Sequence, residues 1–134
     1  MTDNDVRWKQ RFDHFQKAFA LLETAIAIPS PSVVERAGLV QFFEMAFELS
    51  WKLLKDYQEE QGFNIASPRD AIKQAFQSGL VTAGQDWINA LEDRNLTTHT
   101  YNEQTAVIVM QKIRQTYHPL LVQLTATFTA KVSN

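Results

Sequence analysis

SVVERAGLVQFFEMAFELSWKLLKDYQEEQG, residues 32–62, decides the fold class. Ser32 and Glu35 have the spacing of a capping box, in which each side chain meets a free amide at a helix start. Gly62 supplies the stop. Between them Leu39, Phe42, Phe43, Ala46, Phe47, Leu49, Ser50, Trp51, Leu53, Leu54 and Tyr57 make an apolar surface wider than a single seam. The stretch therefore predicts a helix from Ser32 to about Gln61 that touches more than one neighbour. Either it lies centrally in a bundle, or part of that surface meets a second copy of the chain.

The flanking sequence has the same period. Trp8, Phe12, Phe15, Phe19, Leu22 and Ile26 recur at threes and fours, which predicts a helix from about Asp5 to Ala27. Pro29 and Pro31 end it, since proline has no amide to donate and disfavours a helical residue before it. Ser67-Pro68-Arg69-Asp70 predicts a capped start for a short helix that Gly79 stops near Ser78. A fourth helix begins between Gly84 and Asp86 and carries Trp87, Ile88 and Leu91. The last starts after Asn102 and runs through Ala106, Met110, Ile113, Tyr117, Leu120 and Leu124. Pro119 interrupts that pattern, so a kink or break is expected near Tyr117. No alternation suits a strand. The sum is an all-α, up-and-down antiparallel four-helix bundle with one extra short helix, one side being built from two shorter helices.

Composition narrows the function classes. The chain has 134 residues, which suits one domain, 1–134. It is 45% hydrophobic, enough for a core without covalent staples. It has no cysteine, so neither disulfides nor thiolate metal sites arise. No apolar run is long enough to span a membrane. MTDNDVRWKQRF, residues 1–12, has no apolar signal core. A cytoplasmic protein is expected. The net charge of −2 argues against a broad electrostatic grip on long nucleic acid. No three His or carboxylate residues have metal-ligand spacing, and no glycine-rich phosphate loop occurs. Neither a metal nor a cofactor is expected.

Chemistry concentrates in EDRNLTTHTYN, residues 92–102. On an unbroken helix, Arg94 and His99 would stand about 140° apart around the axis. Thr97, Thr98 and Thr100 are weak helix formers and Asn102 is a good cap. The helix is therefore expected to end near Leu96, with a turn that brings His99 back toward Arg94. Arg94 has a plainer alternative, a structural pair with Asp93, Glu92, Glu44 or Glu48. His14 is expected on the solvent side of the first helix, and His118 reflects local geometry before Pro119. Trp8, Trp51 and Trp87 belong with the core. Glu48, Lys52 and Asp56 suggest a solvated face. Lys52, Lys55, Arg69 and Lys73 form a weaker candidate for a basic rim.

Arg94, Asn95, His99 and Tyr101 together resemble the R-x4-H-x-Y motif of HepT-type proteins in the HEPN superfamily. Residues 42–57 and 67–76 also resemble nucleotidyltransferase substrate-binding subunits. That resemblance implies a four-helix bundle, a homodimer, and a minimal nucleotidyltransferase encoded nearby as partner. It further implies a toxin–antitoxin pair in which this chain is a metal-independent RNase and Tyr101 receives adenylate. Arg94 and His99 would then be catalytic and Asn95 supporting. The residues permit the chemistry. Neutral His99 can take a proton from a 2′-hydroxyl, and Arg94 can hold phosphate and stabilise developing charge. One copy offers few groups to protonate the leaving oxygen, so a composite site with a second His99 is expected. The alternatives are a non-catalytic nucleotide- or substrate-binding subunit and, more weakly, a plain helical dimerisation module.

Overall fold

The computed structural model describes the backbone of residues 3–134 and side chains from Val6 onward. The first two residues of the stretch that shows no signal core lie outside the described residues. Six α-helices form and, among the described residues, no strand: α1 Asp3–Ile26, α2 Val33–Glu60, α3 Pro68–Gln77, α4 Gly84–His99, α5 Glu103–Lys112 and α6 His118–Ser133. A π-helical segment, Ile113–Tyr117, joins α5 to α6 as one rod. The four members of the bundle are α1, α2, the α3–α4 pair and this rod.

Local chemistry sets most helix starts. Ser32 Oγ accepts from the Glu35 amide at 3.1 Å, and Glu35 Oε1 accepts from the Ser32 amide at 2.8 Å. Ser67 Oγ accepts from the Asp70 amide at 3.1 Å. Asn102 Oδ1 accepts from the Thr105 amide at 2.8 Å. Each of these bonds satisfies an amide that the first helical turn leaves without a partner. Gly62 and Gly79 take φ of +98° and +80° after α2 and α3, a backbone region costly to other residues. Pro119 lies in the first turn of α6. Its missing amide and its ring both oppose an ordinary ladder there, and the chain widens into the π segment just upstream rather than breaking.

Helix α2 is central: it packs against α1, α3, α4 and α5. Phe43, Phe47, Leu53 and Leu54 of α2 share one core with Phe15 and Leu22 of α1, Trp87 of α4, Ile113, and Leu121 and Phe128 of α6. Trp8 meets Tyr57 and Phe128 edge-on, at ring separations of 5.3 and 5.7 Å. Trp51 is only partly buried against this core. Close packing also governs the α3–α4 junction. A Cβ on Gly84 would lie 2.8 Å from Cδ1 of Phe76, so the ring occupies the space a side chain would need.

Two expectations are corrected. Asp56 is not on a solvated face. It is 3% exposed and accepts from Arg11 Nε at 2.9 Å, joining α2 to α1. Glu48 and Lys52 do pair, at 3.3 Å, in a half-buried position. The second correction concerns α4, which runs to His99 rather than ending near Leu96. The threonines that should have competed with the helix find partners within it. Thr98 Oγ1 donates to the Arg94 carbonyl at 2.8 Å. Thr97 Oγ1 donates to Glu44 Oε2 on α2 at 2.6 Å and lies 3.2 Å from the Arg94 carbonyl. With the Thr97 proton on Glu44 and the Thr98 proton on a carbonyl four residues earlier, neither hydroxyl competes with the helix ladder.

Candidate functional site

The motif occupies the last turns of α4 and the short connection to α5. Three side chains fix the position of those turns. Asp93 accepts from the Tyr117 hydroxyl and pairs with Lys112 Nζ at 3.3 Å. Arg94 Nη2 donates to Glu48 Oε2 at 2.7 Å, and Thr97 reaches Glu44. Helix α4 is therefore tied on one side to the rod and on the other to α2. Burial and the Asp93 carboxylate hold the Tyr117 hydroxyl well above the ordinary phenol range.

Arg94 is 26% exposed at its side chain and engaged on two of its three nitrogens. Besides Glu48, its Nη1 donates to Asn95 Oδ1 at 3.1 Å, which gives Asn95 a defined contact. Its Nε is buried and has no partner. Glu48 is also held by Trp51 Nε1 at 2.9 Å and by Lys52. Partial burial would raise the Glu48 carboxyl. The indole hydrogen bond, Arg94 and Lys52 outweigh that, and it lies below the ordinary carboxylate value.

His99 ends α4, is exposed, and makes no hydrogen bond or ion pair among the described residues. With the helix unbroken, no turn folds it back on Arg94. The two project about 140° apart. The structure thus does not bring Arg94 and His99 together within one copy of the chain. Tyr101 lies just beyond, 45% exposed, in the connection between α4 and α5. Partial burial and the Glu103 charge raise its phenol; Arg36 opposes them and Glu44 adds to the rise. Leu96, one turn before His99 on the same face, is 46% exposed.

Sequence reasoning did not single out Arg36. It lies on the first turns of α2, where Nε donates to Glu103 Oε1 at 2.5 Å and Nη1 to the Pro31 carbonyl at 2.8 Å. Nothing in its local pattern marks it, because its partner is 67 residues away. The basic rim is not continuous. Lys52 pairs with Glu48 and Lys55 with Glu59 at 3.1 Å, whereas Arg69 and Lys73 are exposed on α3. His14 is exposed as expected, and His118 Nε2 lies 3.1 Å from Glu23 Oε2. Among the described residues no group of three or more His, Asp or Glu could hold a metal ion. No helix among them is long and apolar enough to cross a membrane.

The last turns of α4 carry the arginine and the histidine, and the connection after them carries the tyrosine; similarity to known proteins makes this chain HepT-like. The chain belongs to the family described as nucleotidyltransferase substrate binding protein like, whose pattern matches residues 10–130. Over 91 residues it is 31% identical to the probable ribonuclease HepT of Haemophilus influenzae, a match covering 62% of this chain and 62% of that protein. It is also similar to a solved crystal structure of a protein from Thermus thermophilus. That likeness has a TM-score of 0.77 and 35% identity, and it covers 84% of this chain and 96% of the other.

Proposed function

We propose that this chain, acting as one domain over residues 1–134, is a metal-independent RNase toxin in the cytoplasm. A minimal nucleotidyltransferase encoded nearby is its partner and antitoxin. Two copies form a homodimer, and Arg94 from one meets His99 from the other. His99 takes the proton of the 2′-hydroxyl as that oxygen attacks phosphorus. Arg94 stabilises the charge on the phosphorane, with Asn95 steadying the guanidinium. The imidazolium so formed returns that proton to the departing 5′-oxygen. The products are a 2′,3′-cyclic phosphate and a 5′-hydroxyl. Adenylate transfer from ATP to the Tyr101 oxygen, with release of pyrophosphate, places a bulky anion beside the site and blocks it.

The divergence of Arg94 and His99 along one straight helix end carries this reading. Cleavage needs both groups at one phosphate, and a second copy supplies the missing one. Exposed Leu96 beside His99 gives that copy an apolar contact. The test is to express the wild-type chain and His99→Ala without the nucleotidyltransferase and to follow growth and total RNA. Arrest and cleavage that disappear in the variant support the RNase. A folded wild type that leaves RNA intact overturns it.

One observation favours a second reading, a non-catalytic subunit that presents substrate or the modification target. Arg94 is already neutralised by Glu48. In that case Tyr101 accepts adenylate while RNA remains intact.

A further inference from the structure

Arg36, Glu103 and Tyr101 form a small cluster where the start of α2 meets the start of α5. Arg36 uses Nε on Glu103 and Nη1 on the Pro31 carbonyl, and no hydrogen bond engages its Nη2 among the described residues. Its side chain is 20% exposed, so the guanidinium is held in place without being sealed off. Glu103 follows Tyr101 by two residues and is 42% exposed at its side chain. Among the described residues, the Glu103 and Glu44 charges raise the Tyr101 phenol and the Arg36 charge opposes them. The phenol therefore stands among two acids and one cation, an arrangement whose balance reverses when an anion is attached to its oxygen.

We infer that Arg36 receives the phosphate carried by modified Tyr101, giving up Glu103 to do so. This rests on the proposed modification of Tyr101. A phosphodiester on the phenol oxygen would repel Glu103 and Glu44 and attract Arg36. A guanidinium binds phosphate in a planar, two-pronged manner, and Nη2 together with Nε, once released from Glu103, forms one such edge. The exchange replaces an ion pair between α2 and α5 with one between α2 and the modified connection. Modification would then do more than crowd His99: it would fasten the Tyr101 loop onto α2. Arg36 is a positioning residue in this scheme and makes no contact with RNA.

The test uses the full chain with phosphotyrosine installed at position 101, so that no transferase is needed. The phosphate is followed by ³¹P NMR during a pH titration, with the urea-unfolded chain as reference. Its second ionisation lies at about pH 6 in an unperturbed phosphate ester. Pairing with Arg36 should lower the midpoint by about half a unit or more. Arg36→Ala should return most of that shift, Arg36→Lys should keep part of it, and Glu103→Gln, which frees Arg36, should enlarge it. Circular dichroism checks that each variant folds, and if Arg36→Ala does not, the Lys and Gln variants decide the matter. A midpoint equal to that of the unfolded chain, or one unchanged across the variants, overturns the inference. Modification itself is read separately, by mass spectrometry of Tyr101 after incubation with the nucleotidyltransferase and ATP. A failure there removes the modification reading and leaves the ³¹P result to judge Arg36 alone.

Discussion

The Arg94 guanidinium is docked on the Glu48 carboxylate, Nη2 to Oε2 at 2.7 Å, and this pair ties the motif helix α4 to the central helix α2. The contact is half-buried, so it orders Arg94 while leaving part of the guanidinium open to solvent. Its strength should depend on pH in a definite direction. The Glu48 carboxyl is depressed in the folded chain, so its contribution is present above the ordinary carboxylate value and is lost as pH falls through the depressed one. Glu48→Gln should lower stability by about 1–2 kcal/mol at pH 7. Urea denaturation at pH 7 and pH 3 should show the gap closing at the lower pH; an equal gap at both would remove the ionic explanation.

Tyr117 behaves in the opposite sense. Its phenol is raised by burial first and by Asp93 second. The stabilisation is complete below the ordinary phenol value of about 10 and is lost as pH climbs through the raised value. Tyr117→Phe should cost about 1–2 kcal/mol near neutrality. The phenolate absorbance gained up to pH 11 should be the same in wild type and variant, because Tyr117 does not contribute to it.

The Arg11–Asp56 pair should be the most sensitive polar contact in the bundle. Asp56 is almost wholly buried, and removing one partner of such a pair strands the other. Arg11→Ala should cost about 3 kcal/mol. Arg11→Leu combined with Asp56→Leu should recover much of the loss, as measured by thermal or urea unfolding.

Mixed dimers test the composite site directly. Arg94→Ala and His99→Ala should each be inactive alone. Expressed together, they should regain RNA cleavage, since one of the two sites in a mixed dimer keeps both groups. Silence of the mixture, with dimers confirmed by differential tagging, would return the chemistry to a single copy.

Much of the bundle was legible because its signals are local. The capping box at Ser32 and Glu35, the cap at Ser67 and the cap at Asn102 each involve residues three apart. Pro119 marked the place of the distortion near Tyr117, though the form it took, a widened π segment, depends on how the rod packs. The end of α4 was misplaced for a non-local reason. Thr97 is stabilised in helix by Glu44, 53 residues earlier, and no sequence window contains both. The burial of Asp56 was hidden likewise by the distance to Arg11. Glu48 was among the acids that could pair with Arg94, but only the three-dimensional arrangement selects it over Glu44, which Thr97 takes instead.

The ring of Phe76 over Gly84 gives α4 a fulcrum. From Gly84 to His99 the helix is about 24 Å long; Trp87 is locked in the core against Phe47 of α2, and the polar ties to α2 and the rod come later, at Asp93, Arg94 and Thr97. A methyl group at position 84 leaves two escapes. Phe76 is 51% exposed and can swing into water, which costs little; otherwise the near end of the helix must lift. In the second case buried Trp87 acts as the pivot, and the arm beyond it carries His99 through an arc against the polar ties. The part of the helix farthest from the histidine is thus where its aim can be adjusted without touching any group of the motif.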